Sequence, residues 1–300
     1  MAIGDVFEVP GVADLYYLDT GMYDVAEYGS VFVYDTDRPA LVDTGLGPSY
    51  ELVLDALASL GISPADLELV VPTHVHLDHA GGAGFLAEAC PNAGVYVHEV
   101  GAPHLVDPGR LWEGTRRAVG SLFEYYVEPR PVPADRVTEL SDGDVLDLGN
   151  RILDVYHAPG HAPHQVVLFD PDDRVLFTAD AAGIYVQERD EVRPTSPPSD
   201  FDLEQCLVDV ETQQALDPEM LCYGHYGHCP AGDELATYAS VIREWVADIA
   251  AVRDELGDDD AVVAHFVETN DLDEVWGARK VDPEIAMNVR GVLRYLDQRG

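Results

Sequence analysis

The stretch "PTHVHLDHAGG" (72–82) places His74, His76, Asp78 and His79 within six consecutive positions. Imidazole and carboxylate groups are the ligands that suit Zn²⁺, iron and manganese. His74 and His76 are two residues apart, so both side chains can point the same way on an extended segment. Asp78 and His79 follow a bend and face a neighbouring position. Four ligands this close together indicate two adjacent metal ions rather than one tetrahedral site.

The run "LELVV" (67–71) directly before this stretch predicts a buried strand that Pro72 ends. Sheets in α/β proteins commonly bind ligands just past the carboxyl ends of their strands. Other predicted strands are followed by further candidate ligands. These are His157, His161 and His164 in "HAPGHAPH", Asp180 in "LFTADAAG", and His225 and His228 in "CYGHYGH". Spacing alone does not choose between the neighbouring histidines.

The rest of the chain alternates short strands and helices. The segment "PSYELVLDALASLG" (48–61) carries apolar residues at helical spacing, and strand patterns return from 136 to 180. We expect a long loop over 189–200 and a helix over 202–215. The final seventy residues predict mostly amphipathic helix.

Acidic residues dominate the charge balance, with 56 Asp and Glu against 17 Lys and Arg and a formal net charge of −39. Such a charge destabilises a compact chain in dilute buffer, whereas molar salt reduces the Debye length to about 3 Å. We therefore expect a high-salt cytoplasm. Nucleic acid is not an expected partner, because phosphate contacts need clustered basic residues. No apolar run reaches the roughly 18 residues of a membrane span, and the N-terminus lacks the pattern of a signal peptide.

Five motifs together resemble the metallo-β-lactamase superfamily, and within it the glyoxalase II-like hydrolases. They occur in the order of that family: "LVDTG" (41–45), "THVHLDHAGG" (73–82), "APGHAPH" (158–164), "FTAD" (177–180) and "YGHYG" (223–227). The resemblance implies an α/β (α+β) fold, a four-layer αββα sandwich. It also implies a catalytic domain over 1–230 and a helical C-terminal extension over 231–300 packed on it.

The same resemblance implies a role for each ligand residue. His74, His76 and His161 would bind one metal ion, and Asp78, His79 and His225 the other. Asp180 would bridge both ions, which we expect to be Zn²⁺, with iron or manganese as alternatives. Asp43 in "LVDTG" would orient a ligand histidine. A histidine at position 76 fits the hydrolytic branch of the family better than the diiron flavoprotein branch.

The expected activity is hydrolysis of a small thioester, ester or lactone by a two-metal centre. Asp78 and Asp180 would act in catalysis, and the Tyr185 hydroxyl is a candidate for stabilising the oxyanion. The alternatives are a mononuclear iron sulfur-dioxygenase, a phosphodiesterase or ribonuclease, and a metal-binding protein without activity. His98 and His104 are weaker candidates for lining the pocket. The C-terminal helices would cap the active site or form a homodimer interface.

Overall fold

The computed structural model describes residues 2–197 and 200–299. Its first sheet has seven strands in sequence order, of which the first four are antiparallel and the last four run parallel. The strands are β1 Val6–Glu8, β2 Leu15–Asp19, β3 Ser30–Tyr34, β4 Ala40–Val42, β5 Leu69–Val71, β6 Gly94–His98 and β7 Val137–Leu140.

The second sheet has six strands and is mostly antiparallel. Its strands are β8 Val145–Asp147, β9 Ile152–His157, β10 Val166–Asp170, β11 Val175–Phe177, β14 Met220–Cys222 and β15 His228–Pro230. Their spatial order is β15-β14-β11-β10-β9-β8, and only the pair β11 and β14 is parallel. A separate hairpin pairs β12 Ile184–Val186 with β13 Glu191–Arg193.

Ten α-helices are assigned within the described residues. They are α1 Tyr50–Ser59, α2 Leu77–Ala80, α3 Ala83–Ala89, α4 Ala102–Val106, α5 Gly109–Ala118, α6 Leu203–Ala215, α7 Glu234–Leu256, α8 Asp259–Thr269, α9 Asp273–Trp276 and α10 Ala278–Arg299. None of these helices is both long and apolar enough to cross a membrane.

The two sheets face each other and form the middle of a four-layer sandwich. Phe32 and Val71 of the first sheet share one buried apolar cluster with Val155 and Phe177 of the second. The outer face of the first sheet packs on α1, α3 and α4, and the outer face of the second on α6, α7, α8 and α10. Alternating strand residues therefore serve the inner and the outer layers. The predicted αββα fold is confirmed.

The C-terminal helices share a core with the second sheet. Ile242 of α7 and Val292 of α10 lie in the same buried cluster as Leu176 of β11 and Val210 of α6. The predicted helical extension thus packs on the sandwich, while a domain boundary at residue 230 stays a prediction.

The prediction of an uninterrupted loop over 189–200 is wrong for residues 191–193. These three residues form β13, which pairs antiparallel with β12. The alternation of charged Glu191, buried Val192 and charged Arg193 is a short edge-strand pattern, and the neighbouring prolines obscure it in the sequence. Residues 198 and 199 of the same predicted loop lie outside the described part of the chain.

Candidate metal centre

Two loops meet where β4 and β5 end, and their close packing fixes the histidine-rich stretch. The Thr44 backbone N–H donates to the His79 carbonyl oxygen at 2.7 Å, and the Thr44 hydroxyl donates to the same oxygen at 2.8 Å. Gly82 allows this approach, since a Cβ there would lie 2.8 Å from the Thr44 carbonyl oxygen. The "LVDTG" loop is therefore packed directly against the "HLDHAGG" turn.

Three ring nitrogens converge to form a first group of donors. The Nε2 atom of His74 lies 3.0 Å from Nδ1 of His76, and Nε2 of His161 lies 3.2 Å from that same Nδ1. His74 and His76 follow β5, whereas His161 comes from the turn between β9 and β10. All three donor atoms lie within 4.8 Å of one another, a spacing at which one metal ion can contact each.

A second group lies beside the first, and Asp180 lies between them. Asp78, His79 and His225 present donor atoms that also lie within 4.8 Å of one another. Asp180 follows β11, and its Oδ2 lies 3.2 Å from His161 Nε2. Its Oδ1 lies 3.3 Å from His79 Nε2 and 3.6 Å from His225 Nε2. One carboxylate therefore reaches both groups.

Partners outside these groups set the orientation of the ligand rings. Asp43 Oδ2 accepts a hydrogen bond from His79 Nδ1 at 2.9 Å, and Asp43 Oδ1 accepts two from Thr73 at 2.8 Å. The backbone oxygen of Tyr28 accepts from His225 Nδ1 at 3.3 Å. Protons placed on Nδ1 leave the Nε2 lone pairs of both rings directed into the site. The geometry agrees with the orienting role predicted for Asp43.

The electrostatics differ between the two groups of donors. Burial lowers the pKa of His161 to about 3, so its ring is neutral at the pH at which imidazole binds metals. Burial also lowers the pKa of His79, but Asp180, Asp43 and Asp78 outweigh burial and raise it well above its usual value. The carboxylates around His79 thus stabilise positive charge at this position. The donor set of imidazoles and carboxylates fits two divalent ions.

The structure separates the predicted ligands from the neighbouring histidines. His157 stacks on His98 with ring centroids 4.0 Å apart, and its Nε2 donates to the Pro163 carbonyl oxygen at 2.9 Å. The Nδ1 atom of His164 accepts a hydrogen bond from the Val75 backbone. His228 packs on Tyr17. None of these belongs to a group of three donors in the described residues.

The structure does not bring Tyr185 to this centre. Tyr185 lies in the β12–β13 hairpin and stacks on Tyr223, and its hydroxyl donates to Asp190 at 2.7 Å. Its side chain belongs to a buried apolar cluster and is not among the residues that line the cavity at the metal centre. The Tyr185 hydroxyl is therefore not placed to stabilise an oxyanion at the metal centre, as the sequence had predicted.

Three other tyrosines, which were not among the residues predicted for the site, line the cavity above the metal centre. The cavity has a volume of about 590 Å³ and also contacts Asp78, Asp180 and His225. The hydroxyls of Tyr23 and Tyr126 lie 2.6 Å apart, and the Tyr28 hydroxyl donates to Glu284. Of the two weaker histidine candidates, His104 lines the cavity and His98 does not. The closeness of Tyr23 and Tyr28 in "GMYDVAEYG" (21–29) is a sequence signal for two of the three tyrosines.

A sandwich of this architecture with histidine and aspartate donors at its strand ends defines a class of metal-binding protein. The family model described as "Metallo-beta-lactamase superfamily" matches residues 26–225, and this chain belongs to that family.

Relatives and solved structures agree with this assignment. The chain is 31% identical over 184 residues to "Acyl-coenzyme A thioesterase MBLAC2" of Gallus gallus, covering 55% of this chain and 62% of the relative. It thus spans less than two thirds of that thioesterase. It is 26% identical over 218 residues to "Metallo-beta-lactamase fold-containing protein ST1585" of Sulfurisphaera tokodaii, covering 71% of this chain and 78% of the relative. The crystal structure of ST1585 superposes with a TM-score of 0.69 at 22% identity, covering 94% of this chain and 99% of that one.

Proposed function

We propose that this chain is a metal-dependent hydrolase that holds two divalent ions and cleaves a small thioester, ester or lactone. The observation that carries the proposal is the position of Asp180, whose two carboxylate oxygens face different groups of donors. A carboxylate shared in this way suits a two-ion centre. The thioesterase name of the relative from Gallus gallus supports a thioester as the first substrate to test.

The ligand residues and the cavity suggest how the chain would promote this reaction. When bound, two divalent ions supply Lewis acidity and an activated water at neutral pH. Asp180 is buried and holds the ligand rings in place, with a side chain only 5% exposed. Asp78 is 21% exposed and lines the cavity, so its carboxylate can accept a proton from water and pass it to the leaving group.

The hydroxyl pair of Tyr23 and Tyr126 takes the role that the sequence assigned to Tyr185. Each hydroxyl has one proton, and only one of the two protons is used in the 2.6 Å bond between them. The other proton is free to point into the cavity, which both side chains line. It would donate a hydrogen bond to the carbonyl oxygen as negative charge develops on it.

Metal analysis combined with a substrate panel tests the proposal. Purified protein should hold two ions per chain, expected to be zinc, and hydrolyse at least one of a thioester, an ester and a lactone in molar KCl. Asp180→Asn should lose metal and activity, whereas His157→Asn, a matched histidine variant outside the centre, should retain both. One iron per chain with oxygen consumption would instead identify the sulfur-dioxygenase alternative.

A further inference from the structure

Most arginines in this acidic chain are paired with carboxylates. Nine of the sixteen form ion pairs within the described residues: Arg38, Arg130, Arg151, Arg174, Arg189, Arg193, Arg253, Arg279 and Arg299. Arg136 donates to backbone carbonyl oxygens instead. Six further arginines have no carboxylate partner among the described residues: Arg110, Arg116, Arg117, Arg243, Arg290 and Arg294. Of these, Arg117 and Arg243 each donate one hydrogen bond to a backbone carbonyl oxygen of their own helix. These six guanidinium groups lack a carboxylate partner although the chain has 56 acidic residues.

Three of these six unpaired arginines, Arg110, Arg117 and Arg294, line the cavity above the metal centre. Arg110 and Arg117 lie on α5 and are two helical turns apart, which is about 10 Å along the axis. Leu111 and Thr115 of the same helix also line the cavity. Arg294 comes from α10, on a different element of the wall. Cavity-lining residues are thus enriched in unpaired cations.

The negative groups of the cavity do not neutralise these arginines. Asp78 and Asp180 belong to the donor groups of the metal centre. Glu284 already accepts hydrogen bonds from Lys280 and Tyr28. This leaves Asp200 as the remaining carboxylate among the residues that line the cavity. Away from the metal centre, the cavity therefore presents an excess of positive charge in a chain whose net charge is −39.

The arginines lie at the mouth of the cavity, whereas the metal ligands lie at its base. All three arginine side chains are exposed, while His161 and Asp180 are buried. Leu111, Leu122 and Met287 add apolar surface to the same cavity. A molecule with its scissile carbonyl at the metal centre would therefore extend past apolar side chains to guanidinium groups.

We propose that the substrate carries an oxyanion group, a phosphate or a carboxylate, which Arg110, Arg117 and Arg294 bind at the cavity mouth. This inference rests on the proposed hydrolase function, since it concerns the substrate of that same site. Guanidinium groups bind both kinds of oxyanion through paired hydrogen bonds. In molar salt, long-range attraction is screened, so direct contact at these arginines would provide the selectivity.

The test uses three butanoyl thioesters that differ only in the leaving thiol. The thiols are mercaptoethyl phosphate, mercaptopropionate and the neutral mercaptopropionamide, and kcat/KM is measured with metal-loaded full-length protein. We expect at least one anionic thioester to exceed the neutral one by about tenfold or more, because hydrogen bonds between charged groups are strong. The double variant R110Q/R117Q and the single variant R294Q should each lower that ratio by about tenfold. Comparison of the phosphate-bearing and carboxylate-bearing thioesters identifies which oxyanion is preferred.

Arg116→Gln is the matched control, since Arg116 lies on α5 beside Arg117 but does not line the cavity. It should leave all three rates unchanged. Equal rates for anionic and neutral thioesters, or ratios that the cavity arginines do not affect, would overturn the proposal and leave the hydrolase function standing.

Calorimetry with thioether analogues of the three thioesters, which cannot be hydrolysed, separates the anion-site proposal from the proposed hydrolase function. Arginine-dependent binding of an anionic thioether without hydrolysis of any thioester would refute the thioesterase function and support the anion site. If the protein neither binds an anionic thioether nor hydrolyses any thioester, the anion-site proposal is overturned as well.

Discussion

The ring of Tyr28 stacks on the ring of His225, with centroids 4.9 Å apart and an interplanar angle of 24°. The Tyr28 hydroxyl donates to Glu284 of α10, and the Lys280 ammonium lies 3.3 Å from the centroid of the Tyr28 ring. Lys280 also donates to Glu284. The C-terminal helix is thereby connected to a candidate metal ligand through a tyrosine.

Lys280→Met should destabilise the protein strongly. Lys280 is the only lysine of the chain and is 2% exposed, so its loss leaves the buried Glu284 carboxylate without its cationic partner. Removing one member of a buried ion pair costs about 3–5 kcal/mol in the free energy of unfolding. Denaturation by urea in molar KCl measures this change.

The double variant K280M/E284L is the control for that prediction. Replacing both charged groups by apolar ones removes the uncompensated charge, and such replacements are often close to neutral. The double variant should therefore recover most of the lost stability. Equal destabilisation of the single and double variants would contradict the assignment of the effect to the unpaired carboxylate.

Gly224→Ala should weaken the binding of one metal ion. A Cβ at Gly224 would lie 2.6 Å from Cε1 of His79 and 3.2 Å from its Nδ1, the atom bonded to Asp43. The ring would have to move, and disturbing the support of a ligand histidine typically costs about tenfold or more in metal affinity. Competition with a chelator measures the affinity.

Gly109→Ala serves as the matched control for the substitution at Gly224. An added Cβ at Gly109 has Asp107 Oδ1 as its nearest neighbour, at an ordinary contact distance of 3.5 Å. This variant should bind both ions as the wild type does. Unchanged affinity in Gly224→Ala would mean that His79 does not need its observed position to hold metal.

The donor groups were predictable from sequence for a physical reason. Four of the seven candidate metal ligands lie within the six residues 74–79, and the other three come shortly after apolar runs that form strands. Because strand ends lie at the edge of a sheet, the fold brings such residues together without knowledge of side-chain packing. The choice of His161 over His157 depended on the resemblance, since His157 is the last residue of β9 and His161 lies in the turn directly after it.

The tyrosines of the cavity were not predictable in this way. Tyr185 was chosen for its distance of five residues from Asp180, but the hairpin of β12 and β13 decides where its side chain points. Tyr28 reaches Glu284 across 256 positions, and Tyr23 reaches Tyr126 across 103. Contacts between segments so far apart in sequence leave no periodic pattern, so only the assembled fold reveals these pairs.

Tyr126→Phe should lower kcat with little change in KM. The variant keeps the ring that lines the cavity but removes one hydroxyl of the Tyr23–Tyr126 pair. Loss of an oxyanion donor typically costs about 10²-fold in kcat. Steady-state kinetics on the best thioester measures the effect.

Tyr185→Phe is the matched control for the Tyr126 substitution. Its hydroxyl is bonded to Asp190 and does not line the cavity, so its removal should leave kcat near the wild-type value. A larger loss in Tyr185→Phe than in Tyr126→Phe would reverse the assignment of the two tyrosines.

His98→Phe should reduce the loss of stability in mild acid. Burial and the adjacent His157 ring lower the pKa of His98, and the two rings stack 4.0 Å apart at an interplanar angle of 10°. The unfolded imidazole titrates near its ordinary pKa of about 6.5, so the unfolded state takes up its proton first as the pH falls. By linkage, the stability that His98 contributes is complete above that value and is lost as the pH falls through the folded pKa.

Urea denaturation at about pH 7.5 and pH 5.5 measures this effect, because one unit of pKa difference corresponds to about 1.4 kcal/mol. The phenylalanine keeps an aromatic ring against His157 and cannot be protonated, so the variant should lose less stability over this interval than the wild type. His265→Phe, at an exposed position on α8, controls for the removal of a histidine elsewhere and should lose as much as the wild type. If His98→Phe and the wild type lose equal stability over this pH range, the folded and unfolded states bind the His98 proton equally. The stacked pair would then have no part in acid sensitivity.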